Sequence, residues 1–254
     1  MLLTLDIGNT HTVLGIFQGE NLLAHWRLSS ATSRTEDECW ILVRNFCSSE
    51  SIDIKEIDGV IISSVVPNLT PVFDKMTRDY LHLEPVNVDA RLDLGIKVLY
   101  EDPMAVGADR LCNSVAGFKK YGGPLIVVDF GTATTFDIVS KDGEYLGGII
   151  APGIETSAMD LFQRAARLPR VEMKFPQNLI GRNTEASLQA GIMYGAVELT
   201  DGMVKRIREK LKESVQVIAT GGLAHLISNK STTVKIIEPF LTLEGMRIIY
   251  DRVR

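Results

Sequence analysis

Apolar and polar positions along this chain switch repeatedly between a period of two and a period near 3.6, the mark of strands alternating with helices. Leu3 to Ile16 reads LTLDIGNTHTVLGI. It combines a β-branched apolar run, an acidic residue, a Gly-containing polar turn and a second apolar stretch, which predicts a hairpin. The second strand is expected from Thr12 to Phe17, turning through Gln18-Gly19-Glu20-Asn21 and returning along Leu22 to Leu28. Helices follow. Thr35-Glu36-Asp37-Glu38 forms a capping box ahead of Trp40, Ile41, Val43 and Phe46. Val60 to Val66 reads as a buried strand, and Thr70-Pro71 opens a helix through Phe73, Met76 and Tyr80. After Pro103, Leu111, Val115 and Phe118 recur at helical spacing, with Gly107-Ala108-Asp109-Arg110 near the helix start.

The leading pattern occurs twice. Ile126 to Val139 reads IVVDFGTATTFDIV, so that Asp6 aligns with Asp129, Gly8 with Gly131 and Thr12 with Thr135, each 123 residues apart. The second copy continues with the Asp142-Gly143 turn signal and Tyr145 to Ile150. Thr184 then precedes a helical pattern through Leu188, Ile192, Leu199, Val204 and Leu211, loosened by Gly191, Gly195 and Gly202 into one helix or two. Val215 to Ala219 is a buried strand running into Thr220-Gly221-Gly222, and Leu243, Met246, Ile249, Tyr250 and Val253 line one face of a terminal helix. The expectation is an α/β protein of two similar domains, residues 1–118 and 119–254, with a ligand cleft between them and a terminal helix able to pack back on the first.

Composition narrows the function. The 254 residues carry a net charge of −5 with no basic cluster, which gives nucleic acid or an acidic membrane no electrostatic support as a partner. Three cysteines without Cys-x-x-Cys spacing argue against a disulfide framework or structural zinc and fit a reducing cytoplasm. The apolar start, Met1 to Leu5, is too short for a signal peptide, and no apolar run reaches a membrane span. P-loop, dinucleotide and protein-kinase motifs are absent, and the four histidines show no metal or triad spacing.

The polar turns carry the candidate chemistry. In Asp6-Ile7-Gly8-Asn9-Thr10-His11-Thr12, a carboxylate at a strand end precedes a Gly turn that lets main chain approach a ligand and exposes N–H and hydroxyl donors. That suits a nucleotide phosphate, with Asp6 holding Mg²⁺ directly or through water. For one such turn a plain hairpin tip explains as much. Two copies at a fixed separation favour a pair of loops gripping one triphosphate. Asp109 is the candidate at a substrate hydroxyl: ionised, it accepts a proton and orients the attacking oxygen, while Arg110 offers a planar fork to a carboxylate or phosphate. An Asp in a first helical turn beside a surface Arg is the competing reading. The segments Gly147 to Gly153 and Thr220 to Gly222 read equally well as tight packing or as contact with substrate or nucleotide.

Together DIGNT (Asp6 to Thr10), GADR (Gly107 to Arg110), DFGTATTFD (Asp129 to Asp137) and GGIIAPG (Gly147 to Gly153) make the chain resemble the type III pantothenate kinases nearly end to end. These belong to the superfamily of acetate and sugar kinases, Hsp70 and actin. The resemblance implies duplicated ribonuclease H-like, actin-like ATPase domains. It implies ATP-dependent phosphorylation of pantothenate to 4'-phosphopantothenate, the first step of coenzyme A synthesis, in a homodimer using Mg²⁺ and K⁺ or NH₄⁺. It assigns ATP to Asp6, Ile7, Gly8, Asn9, Thr10, His11, Thr12, Val13 and Thr132, and the proton-accepting role to Asp109. Asp129 matches the monovalent-cation ligand; Tyr100, Gly107, Ala108, Arg110 and Thr184 match pantothenate contacts. Another small-molecule kinase of the superfamily, or a nucleotide-gated regulator that has lost turnover, remain the alternatives.

Overall fold

The computed structural model describes residues 1–254 and divides the chain into two compact units, Met1–Ala116 with Leu241–Arg254, and Gly117–Phe240. In the first, strands β1 (Leu2–Ile7), β2 (His11–Gln18), β3 (Asn21–Ser29), β4 (Gly59–Ser64) and β5 (Val86–Asn87) lie in the order β3-β2-β1-β4-β5. β1-β2 and β2-β3 are antiparallel hairpins, whereas β1-β4 and β4-β5 are parallel and reached through helices α1 (Glu36–Ser49) and α2 (Thr70–Met76). A short strand β6 (Lys97–Val98) precedes α3 (Ala108–Tyr121), within which the chain leaves the first unit.

The second unit repeats this plan. Strands β7 (Leu125–Phe130), β8 (Ala133–Val139), β9 (Glu144–Pro152), β10 (Gln216–Thr220) and β11 (Ile236–Ile237) run β9-β8-β7-β10-β11, again with two antiparallel hairpins and two parallel pairs. Helices α4 (Ile154–Arg164), α5 (Thr184–Leu211) and α6 (Ala224–Ser228) supply the crossovers. This is the duplicated ribonuclease H-like topology of the actin-like ATPases. The terminal helix α7 (Leu241–Val253) returns to the first unit and packs on β1, β2 and β4.

Each sheet buries an apolar face under its crossover helices. In the first unit Leu3, Leu5, Ile7, Leu14, Ile16, Val60 and Ile62 meet α1 and α2; in the second Ile126, Val128, Phe130, Phe136 and Ile138 meet α5 and α6. Alternation along a strand sends the neighbours of these residues, including Asp6 and Asp129, to the opposite face. There α7 covers the first sheet. A Cβ built at Gly15 would sit 2.9 Å from Leu243, and one at Gly245 would sit 2.0 Å from the Cys112 carbonyl oxygen, so the helix rests on main chain at both places.

Packing adds detail to two local expectations and corrects a third. The capping box of α1 is present at Thr35 and Glu38, but the buried stripe is Cys39, Val43 and Cys47, with Ile41 exposed and Trp40 stacked on Tyr80. Positions four apart set the core face here, and bulky residues flank it. The pattern after Thr184 is one helix, which begins at Thr184 itself with Asn183 as cap and buries Met193, Val197, Val204 and Ile207 rather than Leu199. The aligned hairpins also differ by one residue. Ile7 pairs with Thr12 but Phe130 with Thr134, so Thr12 corresponds in register to Thr134 and not to Thr135. No helix is long and apolar enough to cross a membrane.

Candidate functional site

The first acidic loop closes between the ends of β1 and β2. The Gly8 N–H donates to the His11 carbonyl at 3.0 Å, and a Cβ at Gly8 would lie 3.0 Å from that same oxygen. Asn9, Thr10 and His11 are exposed, while the Ile7 side chain lies in the core and its carbonyl accepts from the Val65 N–H. What Ile7 offers a ligand is therefore main chain. Thr12 is buried, with its hydroxyl 2.9 Å from that of Ser30, and Val13 is half-buried on β2. Half-buried Asp6 accepts a hydrogen bond from Ser63 at 3.0 Å, its direct partner across β1 and β4. Sequence reading passed over Ser63. Its signal was the Ser63-Ser64 pair closing an otherwise apolar strand next to the acidic one.

Gly107-Ala108-Asp109-Arg110 forms the entry to α3. Asp109 stands in the first turn, half-buried, and its Oδ1 accepts from the Arg110 N–H at 2.8 Å. A Cβ at Gly107 would sit 2.6 Å from that oxygen, which explains glycine at this place. Burial holds the Asp109 carboxyl above its ordinary range against the opposing pull of the Arg110 N–H and guanidinium. A carboxylate with raised proton affinity is a better general base near neutral pH. Ala108 and Arg110 are buried beside it, and Tyr100 is 37% exposed before the turn Pro103–Ala105.

Asp6 and Asp109 come into one neighbourhood at Cys112. That thiol, one turn into α3, is fully buried and held well above its ordinary range by burial and then by the negative charges of Asp6 and Asp109, with an opposing hydrogen bond to Ser63. It is therefore a neutral filler between two carboxylates, not a nucleophile.

In the second unit the loop is one residue shorter, its Gly131 N–H donating to the Ala133 carbonyl at 3.1 Å. The Thr132 carbonyl accepts from the Gly153 N–H at 3.2 Å and from the Thr156 hydroxyl at 2.7 Å. A Cβ at Gly153 would meet that carbonyl at 2.3 Å. Half-buried Asp129 lies against Gly221, whose φ is +91° and whose Cβ would fall 2.5 Å from Asp129 Oδ1. Both Gly-rich segments thus support the second acidic loop. Thr184 is exposed in the first turn of α5. A groove of about 340 Å³ between α4 and α5 is lined by Leu161, Leu188, Gly191, Ile192 and Gly195 among others and contains no carboxylate. Phe130 and Thr134, the pair that flanks the second acidic loop, line it as well.

The family model for type III pantothenate kinase matches residues 2–206. The chain belongs to this family. It is 48% identical over 252 residues to a type III pantothenate kinase of Myxococcus xanthus, covering 99% of this chain and 98% of the relative. It is 50% identical over 254 residues to one of Geotalea daltonii, covering 100% and 99%. A solved Campylobacter jejuni structure described as a Baf family transcriptional activator shares the fold, with TM-score 0.60 and 20% identity over 98% of this chain and 97% of that one. Membership makes the protein a pantothenate kinase, a phosphotransferase that uses ATP with a divalent metal.

Proposed function

We propose that the protein transfers the γ-phosphoryl group of ATP to the terminal hydroxyl of pantothenate, with Asp109 accepting the hydroxyl proton. The observation that carries this is the half-buried Asp109 carboxyl, oriented by the Arg110 N–H, raised in proton affinity and sharing the Cys112 neighbourhood with Asp6. Phosphoryl transfer needs positioning and charge neutralisation more than covalent chemistry. In this reading the segment Asp6 to Val13 receives the phosphates through exposed main chain and hydroxyls, and Thr132 is the second nucleotide-contacting position.

The donor sets fit hard cations. Asp6 with Ser63 offers oxygen only, as suits an Mg²⁺ that keeps most of its water. Bound there, Mg²⁺ would neutralise phosphate charge. Asp129, fixed between Gly131 and Gly221, is the ligand for K⁺ or NH₄⁺. Gly107 and Ala108 main chain with Tyr100, Arg110 and Thr184 would recognise the amide, hydroxyl and carboxylate of pantothenate. The free, buried cysteines fit the cytoplasm, and the family resemblance supports a homodimer, which light scattering checks.

Incubation with ATP, Mg²⁺, K⁺ and pantothenate should release ADP and phosphopantothenate in equal amounts. ADP release with other alcohols but not pantothenate would assign another substrate, and nucleotide binding without ADP release would assign a regulator.

A further inference from the structure

Asp137, on β8, is a fully buried carboxylate that the reading above leaves unused. Its Oδ1 accepts from the hydroxyl of fully buried Tyr145 at 2.7 Å, and its Oδ2 accepts from Thr135 Oγ1 at 3.2 Å. The fold itself does not require this carboxylate. In the matching register position of the first unit, opposite Thr4 as Asp137 is opposite Val127, the residue is Gly15.

The alternation of β8 puts Thr135 and Asp137 on one face of the sheet, and Thr135 is the direct cross-strand partner of Asp129. Directly opposed side chains stand about 5 Å apart at Cβ. A hydroxyl has one proton, and an ionised carboxylate only accepts. With its proton committed to Asp137, the Thr135 oxygen has lone pairs alone to present beside Asp129.

We propose that Asp137, held by Tyr145, is a positioning residue that fixes the polarity of the Thr135 hydroxyl and so makes it a neutral oxygen ligand for the monovalent cation at Asp129. This rests on the reading of Asp129 as that cation's ligand. A hard ion takes such an oxygen readily, whereas a hydroxyl turned proton-first toward it repels it. In Asp137→Asn, the amide oxygen stays with the Tyr145 hydroxyl, and the NH₂ faces Thr135 and donates. That frees the Thr135 proton to point at the cation.

The test is thermal unfolding with Mg²⁺ and a non-hydrolysable ATP analogue, in KCl and in choline chloride at equal ionic strength, beside K⁺ titrations of turnover. Wild-type protein should melt higher in KCl. Thr135→Val and Asp137→Asn should lose that K⁺-specific gain and need roughly tenfold more K⁺ or beyond for half-activation, while Thr135→Ser should restore both. If Thr135→Val and Asp137→Asn melt lower by equal amounts in both salts with unchanged half-saturating K⁺, while Asp129→Ala abolishes the K⁺ response, Asp137 is only a packing residue and the proposal is overturned. If Asp137→Asn does not fold, Thr135→Val decides alone. A K⁺ response that survives Asp129→Ala, or none in wild-type protein, overturns the reading of Asp129 instead.

Discussion

The two units share a strand order and an acidic residue at the same register, yet their loops are built differently. In the first, four residues from Gly8 to His11 close the hairpin, three of them exposed, and Asp6 is steadied by Ser63. In the second, three residues from Gly131 to Ala133 close it, the Thr132 carbonyl accepts two bonds from the start of α4, and Gly221 presses on Asp129. The sheet face behind them differs too. Leu243 of α7 fills the space at Gly15, whereas Asp137 and Tyr145 fill its counterpart. A shared topology thus carries a longer loop in the unit that holds Asp109 and a shorter loop braced by Gly153, Thr156 and Gly221 in the other.

The largest expected effect separates chemistry from binding. Asp109→Asn should lower kcat by about 10²–10⁴-fold, while calorimetry shows ATP binding retained; near wild-type turnover would remove Asp109 from the mechanism.

Glycine substitutions probe the bracing directly. Gly153→Ala forces a Cβ to within 2.3 Å of the Thr132 carbonyl and should cost about 1–3 kcal/mol in urea unfolding, with a raised KM for ATP. Gly8→Ala meets only the exposed loop's own His11 carbonyl at 3.0 Å, and should cost about 0.5 kcal/mol or less. Equal costs at the two sites would erase the contrast.

A pH series sharpens the same point at Asp109. Burial raises its carboxyl above the ordinary 3.8, so the folded protein keeps the proton to higher pH than the unfolded chain. Wild-type stability should therefore fall as pH rises from 3.8 through the raised value, and Asp109→Asn should escape that loss. The two melting temperatures should coincide near pH 3 and separate toward neutrality, with the variant higher. A constant gap across pH would show that burial does not perturb this group.

The smallest effect expected is a cation swap. Replacing K⁺ by Na⁺ should weaken nucleotide use through Asp129, and in Asp129→Ala the two salts should give equal KM values for ATP.

Much of the plan was legible along the chain because repeated chemistry leaves repeated letters. Asp6 and Asp129 end like strands, the capping box at Thr35 uses short-range bonds, and GADR opens α3 as its spacing implies. The register difference was hidden, since Thr12 and Thr135 match as letters while strand pairing sets Thr12 against Thr134. Ser63 was hidden for another reason: a serine after an apolar strand is common, and its bond to Asp6 depends on parallel pairing across 57 residues.

Local pattern, turn chemistry and the internal repeat settled the secondary structure, the duplication and the carboxylates, because each depends on neighbours a few residues apart or on a residue's own charge. Tertiary structure alone decided how tightly each loop is held, which carboxyl is pushed toward its neutral form, and that Asp137 stands where the first unit has Gly15. Those outcomes depend on burial and on hydrogen-bond partners from distant segments, and a linear pattern of side chains does not encode them locally.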